Sequence, residues 1–438
     1  MKYEPIDPSL FVENRRRLRA HLEPGALAVF NSNDVLPTNA DGLRCFIQNS
    51  DLFYLTGIDQ EESILVLFPD SPDPAQREML FIQETSPEIA LWQGDTYTKE
   101  QASAISGIQT VHWLPEFSRT FRGMAFDARS IWLNSNEHLR AEVIVETRDM
   151  RFAHWCKKTF PLHRYERLAP VMHHLRAVKS PIEIDLIRRA IHITENAFRN
   201  VLKSIRPGIW EFEIEAEITG EFLKNRSNRS AFLPIMASGP NSCVLHYEKN
   251  DRQCQAGEVI LMDFGAEYAN YASDVTRTVP VSGRFTPRQK AVYNAVLRVQ
   301  RAATNLLRPG ATLTGYIKNV GRIMEDELIG LGLLESAAVK NQPENAPLYK
   351  KYFMHGISHL MGIDVHDVGN RHRPFEAGMI FTCEPGIYIR EEGFGIRLEN
   401  DILISSDSPV DLTADIPIEV EEIEDLMNGG NDTAPKKA

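Results

Sequence analysis

Two carboxylates within an apolar, β-branched stretch place the strongest constraint on how this chain can fold. The stretch VILMDFGAEYANYASDVTRTV, residues 259–279, predicts two strands joined by a turn. Asp263 follows the apolar run that opens the first strand, and Asp274 lies eleven residues later, on the other side of the turn. If the chain turns back between Tyr268 and Ala269, the two acids face each other directly, with Cβ atoms ~4.5–5.5 Å apart. Two carboxylates at that distance repel, so one of them must hold a proton or a cation must lie between them.

A second stretch repeats this arrangement. In FTCEPGIYIREEGFGIRLEND, residues 381–401, Glu384 and Glu399 are placed symmetrically about a turn at residues 390–393. A hairpin with that turn sets the two glutamates opposite each other. Two hairpins with paired inward acids predict a site for divalent metal ions. The alternative is that these carboxylates are solvated at the edges of sheets.

The segment between the hairpins is rich in histidine. HGISHLMGIDVHDVG, residues 355–369, places His355, His359 and His366 among apolar and glycine residues. A lone histidine is commonly a satisfied core residue, whereas three close together beside two acid hairpins favour a metal site. Carboxylates with imidazole suit manganese, cobalt, iron or zinc. Two such ions ~3.5–4 Å apart would bridge a water, lower its pKa and polarise a carbonyl, which implies metal-assisted hydrolysis.

Composition limits the class of protein. The chain has 438 residues, enough for about two domains, and a net charge of −12 without a dense basic run, which argues against a nucleic-acid partner. No apolar stretch approaches the ~20 residues that span a membrane, and the N-terminus lacks the apolar segment of a secretory signal. The five cysteines are scattered and form no Cys-x-x-Cys pair, which predicts a reduced protein of the cytoplasm.

The organisation changes near residues 175–180. The part before it, residues 1–175, is predicted to be a smaller mixed α/β domain, because short apolar runs of strand length alternate with turn-rich stretches. These runs are ALAVF (26–30), SILVLF (63–68), EMLFI (78–82) and SIWLN (130–134). A strong helix start at Ser180 opens the second domain, residues 176–427, where four amphipathic helices and the hairpins predict an α+β fold. Residues 428–438 are predicted to be a flexible tail.

The motifs around these acids and histidines resemble those of the Xaa-Pro aminopeptidases (aminopeptidases P), a family of pita-bread metallopeptidases. The resemblance covers nearly the whole chain and is most specific in the second domain. Five residues match the family's metal ligands, in MDFGAEY, SDVTRT, HGISHLMG, CEPG and RLEND: Asp263, Asp274, His359, Glu384 and Glu399. Four more match its accessory residues, in VLHYEKN, HGISH, DVHDVG and GIRLEN: His246, His355, His366 and Arg397.

The resemblance implies a fold, a cofactor and a substrate. The C-terminal domain would have the pita-bread fold, with two pseudo-symmetric αβ halves, and the N-terminal domain would support contacts in a homo-oligomer, either a dimer or a tetramer. Two divalent ions would bind, manganese foremost, with cobalt, zinc or iron as other choices. The substrate would be a peptide with proline in the second position, cut before the proline by a hydroxide that bridges the metals.

The resemblance also implies individual roles. Glu384 would be both a metal ligand and the acceptor of the water's proton, and Asp263 would help to hold the substrate's free amine. The remaining residues would surround the substrate: His246 and His366 at the oxygen of the tetrahedral intermediate, with His355, Arg397 and Tyr388 at the proline pocket. Trp92 would either reach a neighbouring subunit's site or lie buried in the core.

Other functions are compatible with parts of this pattern. A prolidase, which cuts Xaa-Pro dipeptides, shares the fold and the ligands, although Ser358 in HGISH and the N-terminal segment match the aminopeptidases better. A methionine aminopeptidase would not need the preceding domain. A non-catalytic pita-bread binding protein or a metal-free hydrolase of the creatinase type is disfavoured, because all five ligand-type residues are present.

Overall fold

A computed structural model describes residues 3–94 and 96–429 and divides the chain into two compact units. One unit is Pro5–Arg176; the other begins at Ala177 and also includes Tyr3 and Glu4. Most of the predicted tail, from residue 430 onward, lies outside the described residues. Its first two residues, 428 and 429, form a turn. None of the described helices is both long and apolar enough to span a membrane.

The Pro5–Arg176 unit is built on one mixed six-stranded sheet. Its strands are β1 (Ala26–Asn31), β2 (Ile64–Leu67), β3 (Glu78–Ile82), β4 (Thr110–Trp113), β5 (Ser130–Leu133) and β6 (Arg164–Arg167), in the spatial order β4-β3-β2-β1-β5-β6. The four apolar runs predicted as strands form β1, β2, β3 and β5. Its helices are α1 (Ser9–Arg19), α2 (Ser50–Thr56), α3 (Pro87–Gln93), α4 (Lys99–Ser106), α5 (Phe117–Asp127), α6 (Arg148–Thr159) and α7 (Ala169–Ala177).

The core of this unit follows from strand alternation. Leu27 and Val29 of β1 project to the same face and pack with Ile131 of β5 against Phe117 and Phe121 of α5. Burial of each large apolar side chain contributes ~1.5–3 kcal/mol, and this set fixes the helix on the sheet.

Trp92 lies outside any core. Its side chain is 87% exposed on α3, so the expectation of a buried tryptophan is wrong. Its contact with a neighbouring subunit stays a prediction.

The unit that begins at Ala177 is α+β. Its long helices are the four that the sequence predicts: α8 (Pro181–Val201), α9 (Glu211–Lys224), α10 (Pro287–Thr304) and α11 (Leu313–Gly330). Two short helices follow, α12 (Ser336–Lys340) and α13 (Val420–Met427). Capping boxes at Ser180 and Thr286 begin α8 and α10, because each hydroxyl accepts a backbone N–H that the first turn leaves unpaired.

The strands of this unit form short antiparallel sheets. They are β7 (Ile235–Ser238), β8 (Val259–Phe264), β9 (Glu267–Tyr268), β10 (Tyr271–Ala272), β11 (Val275–Pro280), β12 (Ile380–Cys383), β13 (Gly386–Ile389), β14 (Phe394–Arg397), β15 (Asn400–Leu403) and β16 (Val410–Asp411). The sheets run β11-β8-β7, β12-β15-β16, β13-β14 and β10-β9. Both acid hairpins therefore form, one from β8 to β11 and one from β12 to β15.

The first acid hairpin has a register two residues away from the predicted one. Asp263 lies opposite Thr276 rather than opposite Asp274. The turn falls at Ala269 and Asn270, whose φ angles of 53° and 65° give the left-handed geometry of a two-residue hairpin turn. Direct opposition of the two aspartates is thus wrong. A shift by an even number of residues nevertheless keeps both side chains on one face, where they are diagonal neighbours.

The second acid hairpin has the predicted register. Cys383 lies opposite Asn400 and Gly386 opposite Arg397, so Glu384 and Glu399, between these pairs, face each other. The turn at residues 390–393 joins β13 to β14, as predicted.

A close backbone approach shapes the first hairpin beside Asp263. A Cβ added at Gly265 would overlap the backbone carbonyl oxygen of Ser273, and neither backbone can move without disturbing the chain next to Asp274. Only glycine fits this position, although its φ is not in the left-handed region.

We expect Gly265→Ala to lower the free energy of unfolding by about 3 kcal/mol or more, because the new methyl group overlaps fixed backbone. Gly220→Ala is the matched control: a Cβ there meets no atom within 4 Å, and alanine in the middle of α9 should stabilise by ~0.5–1 kcal/mol. Chemical denaturation of both variants measures the difference. Equal stabilities for the two would contradict this account of the hairpin.

Candidate metal centre

The structure brings the predicted ligand residues together from both hairpins and the segment between them. Asp274, His359 and Glu399 each offer one ligand atom, and these atoms lie within 4.8 Å of one another. The Nε2 atom of His359 is 3.4 Å from Asp274 Oδ2 and 3.9 Å from Glu384 Oε1. Residues more than a hundred positions apart in the chain therefore form one cluster.

Backbone contacts aim His359 at the acids. The N–H of Thr382 on β12 donates to the His359 carbonyl oxygen over 3.0 Å, which fixes the histidine beside the second hairpin. The imidazole Nδ1 lies 3.0 Å from the Leu360 carbonyl oxygen, which can only accept a hydrogen bond. The proton is therefore on Nδ1, and Nε2 presents a lone pair toward Asp274 and Glu384.

The acids of this cluster repel one another. Burial, followed by the charges of Glu399 and Asp263, raises the pKa of Asp274 well above its usual value. Burial and the charges of Glu384 and Asp263 likewise raise the pKa of Glu399. Carboxylates held so closely without water need protons or cations to balance them.

The donor set fits divalent metal ions. Asp263 Oδ1 is buried and has no hydrogen-bond partner among the described residues, although a buried carboxylate oxygen normally has one. Carboxylate oxygens and one imidazole nitrogen are the donors that manganese, iron, cobalt and zinc accept. An unpartnered buried oxygen amid mutually repelling acids is free to coordinate such an ion.

Arg397 connects the two acid hairpins through hydrogen bonds. Its Nη2 donates to Asp263 Oδ2 over 2.5 Å, and its Nε donates to Thr276 Oγ1 over 3.0 Å. The Thr276 hydroxyl in turn donates to Glu399 Oε2 over 2.7 Å. One buried arginine thus orients an acid from each hairpin, directly or through Thr276.

Tyr388 connects Arg397 to His355. Its hydroxyl accepts from Arg397 Nη1 over 3.0 Å and lies 2.8 Å from His355 Nε2. Because His355 Nδ1 is 2.7 Å from the Gly356 carbonyl oxygen, Nδ1 carries the proton and Nε2 accepts from Tyr388. Burial lowers the pKa of His355 to about 3, so this imidazole is neutral near pH 7.

The two remaining predicted histidines lie at the edges of the cluster. The rings of His366 and His359 are 4.2 Å apart at nearly a right angle. His246 is exposed, and its charge is among those that lower the pKa of His355. Glu384 Oε2 is 3.5 Å from His355 Nδ1, so this glutamate lies between His355 and His359.

Three further residues support the site and are missed by sequence reasoning. Lys179 Nζ and Asp367 Oδ2 form a buried ion pair of 3.0 Å, which anchors the segment that carries His366. Thr276 is the third. Strand alternation could have indicated Thr276, two residues after Asp274, but no local spacing signals a pairing between residues 179 and 367.

Comparison with known proteins gives consistent results. The model of metallopeptidase family M24 matches residues 185–406, and that of the aminopeptidase P N-terminal domain matches residues 11–132. The chain is 34% identical over 431 residues to the Xaa-Pro aminopeptidase of Escherichia coli K12, covering 95% of this chain and 97% of that protein.

Solved structures agree over almost the full length. Pseudomonas aeruginosa aminopeptidase PepP superposes with a TM-score of 0.87 at 30% identity, covering 97% of this chain and 98% of that one. Zinc-substituted E. coli aminopeptidase P in complex with product superposes with a TM-score of 0.85 at 32% identity, covering 97% of this chain and 99% of that one.

Repulsion in the metal-free cluster should be measurable as stability. An acid whose pKa is raised by folding costs stability above its unfolded pKa near 4. At pH 8 without metal, we therefore expect Asp274→Asn to raise the free energy of unfolding by about 1 kcal/mol or more, since one pKa unit is worth about 1.4 kcal/mol. Saturating Mn²⁺ should then stabilise the parent by about 2–4 kcal/mol and the variant much less.

The control for this experiment is Asp185→Asn, an acid whose side chain is 75% exposed on α8. That variant should change stability by less than about 0.5 kcal/mol with or without Mn²⁺. Thermal unfolding of the three proteins gives the comparison. A parent indifferent to Mn²⁺, together with a destabilised Asp274→Asn variant, would contradict the assignment of this cluster.

Proposed function

This chain belongs to the Xaa-Pro aminopeptidases of metallopeptidase family M24, and we propose that it removes the first residue from peptides whose second residue is proline. It is a metal-dependent hydrolase, with a smaller N-terminal mixed α/β domain and a C-terminal pita-bread domain. We assign the chemistry to the second domain, residues 176–427. The observation that carries the proposal is the convergence of Asp274, His359 and Glu399, with Glu384 beside them.

The proposed metal ligands are four carboxylates and one imidazole, namely Asp263, Asp274, His359, Glu384 and Glu399. Such a set can hold two divalent ions; Mn²⁺ is the first choice, and cobalt, zinc or iron suit the same donors. When bound, the ions lower the pKa of water and polarise the scissile carbonyl.

Glu384 accepts the proton of the attacking water. Its Oε2 is 3.5 Å from His355 Nδ1, and its Oε1 faces His359, so the carboxylate lies between the ligand cluster and the substrate pocket. A carboxylate in that place can take a proton from water and later deliver it to the leaving nitrogen. Asp263, oriented by Arg397, helps to hold the free α-ammonium of the substrate.

The histidines and the apolar surface of the site act on the peptide. His246 and His366 stabilise the oxygen of the tetrahedral intermediate. His355, Tyr388 and Arg397 form the proline pocket; the amide before proline has no N–H to grip, so the site relies on ring faces and apolar surface. Neutral His355 suits this role, because a cation there would be poorly matched to an uncharged ring.

We further propose a homo-oligomer, a dimer or a tetramer, in the cytoplasm. Leu91, Trp92 and Ile144 in the first unit are 81%, 87% and 89% exposed, and contact with another subunit would remove these apolar side chains from water. The five cysteines are all free thiols, as expected in a reducing compartment.

Substrate length and metal dependence test the function. We expect the chelator-stripped protein to be inactive on a short Xaa-Pro-Yaa peptide and to recover at least about a hundred-fold activity when Mn²⁺ is added, because the ions supply the polarisation. The same enzyme should cut an Xaa-Pro dipeptide more slowly. A preference for the dipeptide would favour a prolidase, and activity that survives removal of all metal would contradict the metal site.

Tyr388 offers a test of the pocket without touching a proposed ligand. Tyr388→Phe removes the hydroxyl between Arg397 and His355, and we expect kcat/KM on Xaa-Pro-Yaa to fall about ten-fold, the loss of one or two buried hydrogen bonds. Affinity for Mn²⁺ should not change. Tyr352→Phe is the control, since that hydroxyl contacts Lys351 rather than the pocket. Equal activity of both variants would rule out the role given to Tyr388.

A further inference from the structure

A cavity of about 350 Å³ lies beside the β13–β14 hairpin, and no role has been given to it so far. One wall is the short helix Gly239–Cys243 and the chain just after it; the other is the hairpin turn. Its lining residues are Pro240, Cys243, Val244, Leu245, Arg390 and Gly393. Most of this wall is apolar, and Arg390 is its only ionised side chain.

The cavity adjoins the proline pocket. Cys243 and Leu245 pack in the same apolar cluster as Tyr388, whose hydroxyl contacts both His355 and Arg397. Leu245 also directly precedes His246 in the chain. A peptide that continues from the proline pocket toward the turn of this hairpin would meet this cavity.

Arg390 is close enough along the hairpin to reach a residue that follows proline. Arg390 follows Tyr388 by two positions and begins the turn of residues 390–393, so its Cα lies at most about 7 Å from that of Tyr388. A substrate advances about 3.3–3.6 Å per residue, and an arginine side chain covers the remainder. The span of the arginine side chain therefore includes the position of the residue after proline.

No acid among the described residues lies in contact with the Arg390 guanidinium. Among the residues that the structure describes, its guanidinium makes no ion pair and no hydrogen bond. The two acids next to it are engaged elsewhere: Glu391 with Lys351 at 3.3 Å and Glu392 with Arg288 at 2.7 Å. A cation without a partner, at the edge of an apolar cavity, favours an anionic group in that cavity.

A second observation places this charge at the cavity wall. Burial raises the pKa of the Cys243 thiol to about 11, and the nearby charge of Arg390 opposes that rise. The guanidinium therefore lies close to the buried side of the cavity as well as to water.

We infer that this cavity receives the residue that follows proline and that Arg390 selects a carboxylate there. The inference rests on the proposed function and adds a specificity to it. The carboxylate comes either from an aspartate or glutamate side chain or from the C-terminus of a tripeptide; both offer the paired oxygens that a guanidinium binds with two hydrogen bonds.

Two peptide pairs separate these sources. Ala-Pro-Glu-amide against Ala-Pro-Gln-amide reports the side chain, and Ala-Pro-Ala against Ala-Pro-Ala-amide reports the C-terminus. For metal-loaded enzyme at low salt, we expect kcat/KM to be about two- to five-fold higher for the charged member of at least one pair, the usual size of an exposed charge pair. High salt should reduce the ratio, because it screens exposed charges.

Arg390→Glu should bring that ratio below one, and Arg390→Ala should bring it to one. Arg322→Glu, an exposed arginine on α11, is the control and should keep the parent's ratio. Each ratio compares two peptides on one enzyme, so a partly unfolded variant still gives a valid value.

The measured ratios either support or overturn the role proposed for Arg390. A ratio that Arg390 controls in either pair supports the inference and identifies the source of the carboxylate. Ratios near one in both pairs, or ratios unchanged in Arg390→Glu while both peptides are cut, overturn the inference and leave the proposed function standing. Failure of the parent to cut any of the four peptides overturns both.

Discussion

Repulsion among buried carboxylates is the constraint on which the rest of this structure depends. Asp274 and Glu399 lose their water on folding and gain like charges as neighbours, so each has a pKa well above its usual value. Such a cluster is tolerated only if something balances it, and the unpartnered Oδ1 of Asp263 shows that the chain itself does not do so completely. The proposed divalent ions resolve this conflict, and the same ions make the cluster useful for hydrolysis.

The contacts around the cluster follow from the need to hold the acids in place. Arg397 reaches an acid of the first hairpin directly and one of the second through Thr276. Its Nη1 donates to the Tyr388 hydroxyl, which also contacts His355. The chain of hydrogen bonds therefore runs from the acids to the substrate pocket. Beyond Tyr388, the hairpin leads from the buried acids to the exposed Arg390. Opposite charges at the two ends of the site suit a peptide, whose amine and carboxylate differ in sign.

Much of the fold and the site could be predicted from sequence, and the errors have physical causes. The glutamate hairpin could be predicted in register, because the two acids are symmetric about a turn that contains Gly393, whose φ is 70°. The aspartate hairpin could not, because its left-handed turn uses Ala269 and Asn270 instead of glycine. The pairing of Lys179 with Asp367 links distant segments and has no periodicity. The exposure of Trp92 depends on how the short helix α3 is placed on its unit. The amino-acid sequence of that helix does not reveal this placement.

The number of ions bound per chain tests the central claim most directly. Chelator-stripped protein can be titrated with Mn²⁺ by calorimetry, and the retained metal counted after gel filtration. The account predicts two ions per chain, bound with release of protons from carboxyl groups whose pKa is raised by folding. Protein that retains no divalent ion at saturating Mn²⁺, and that releases no protons during the titration, would contradict it.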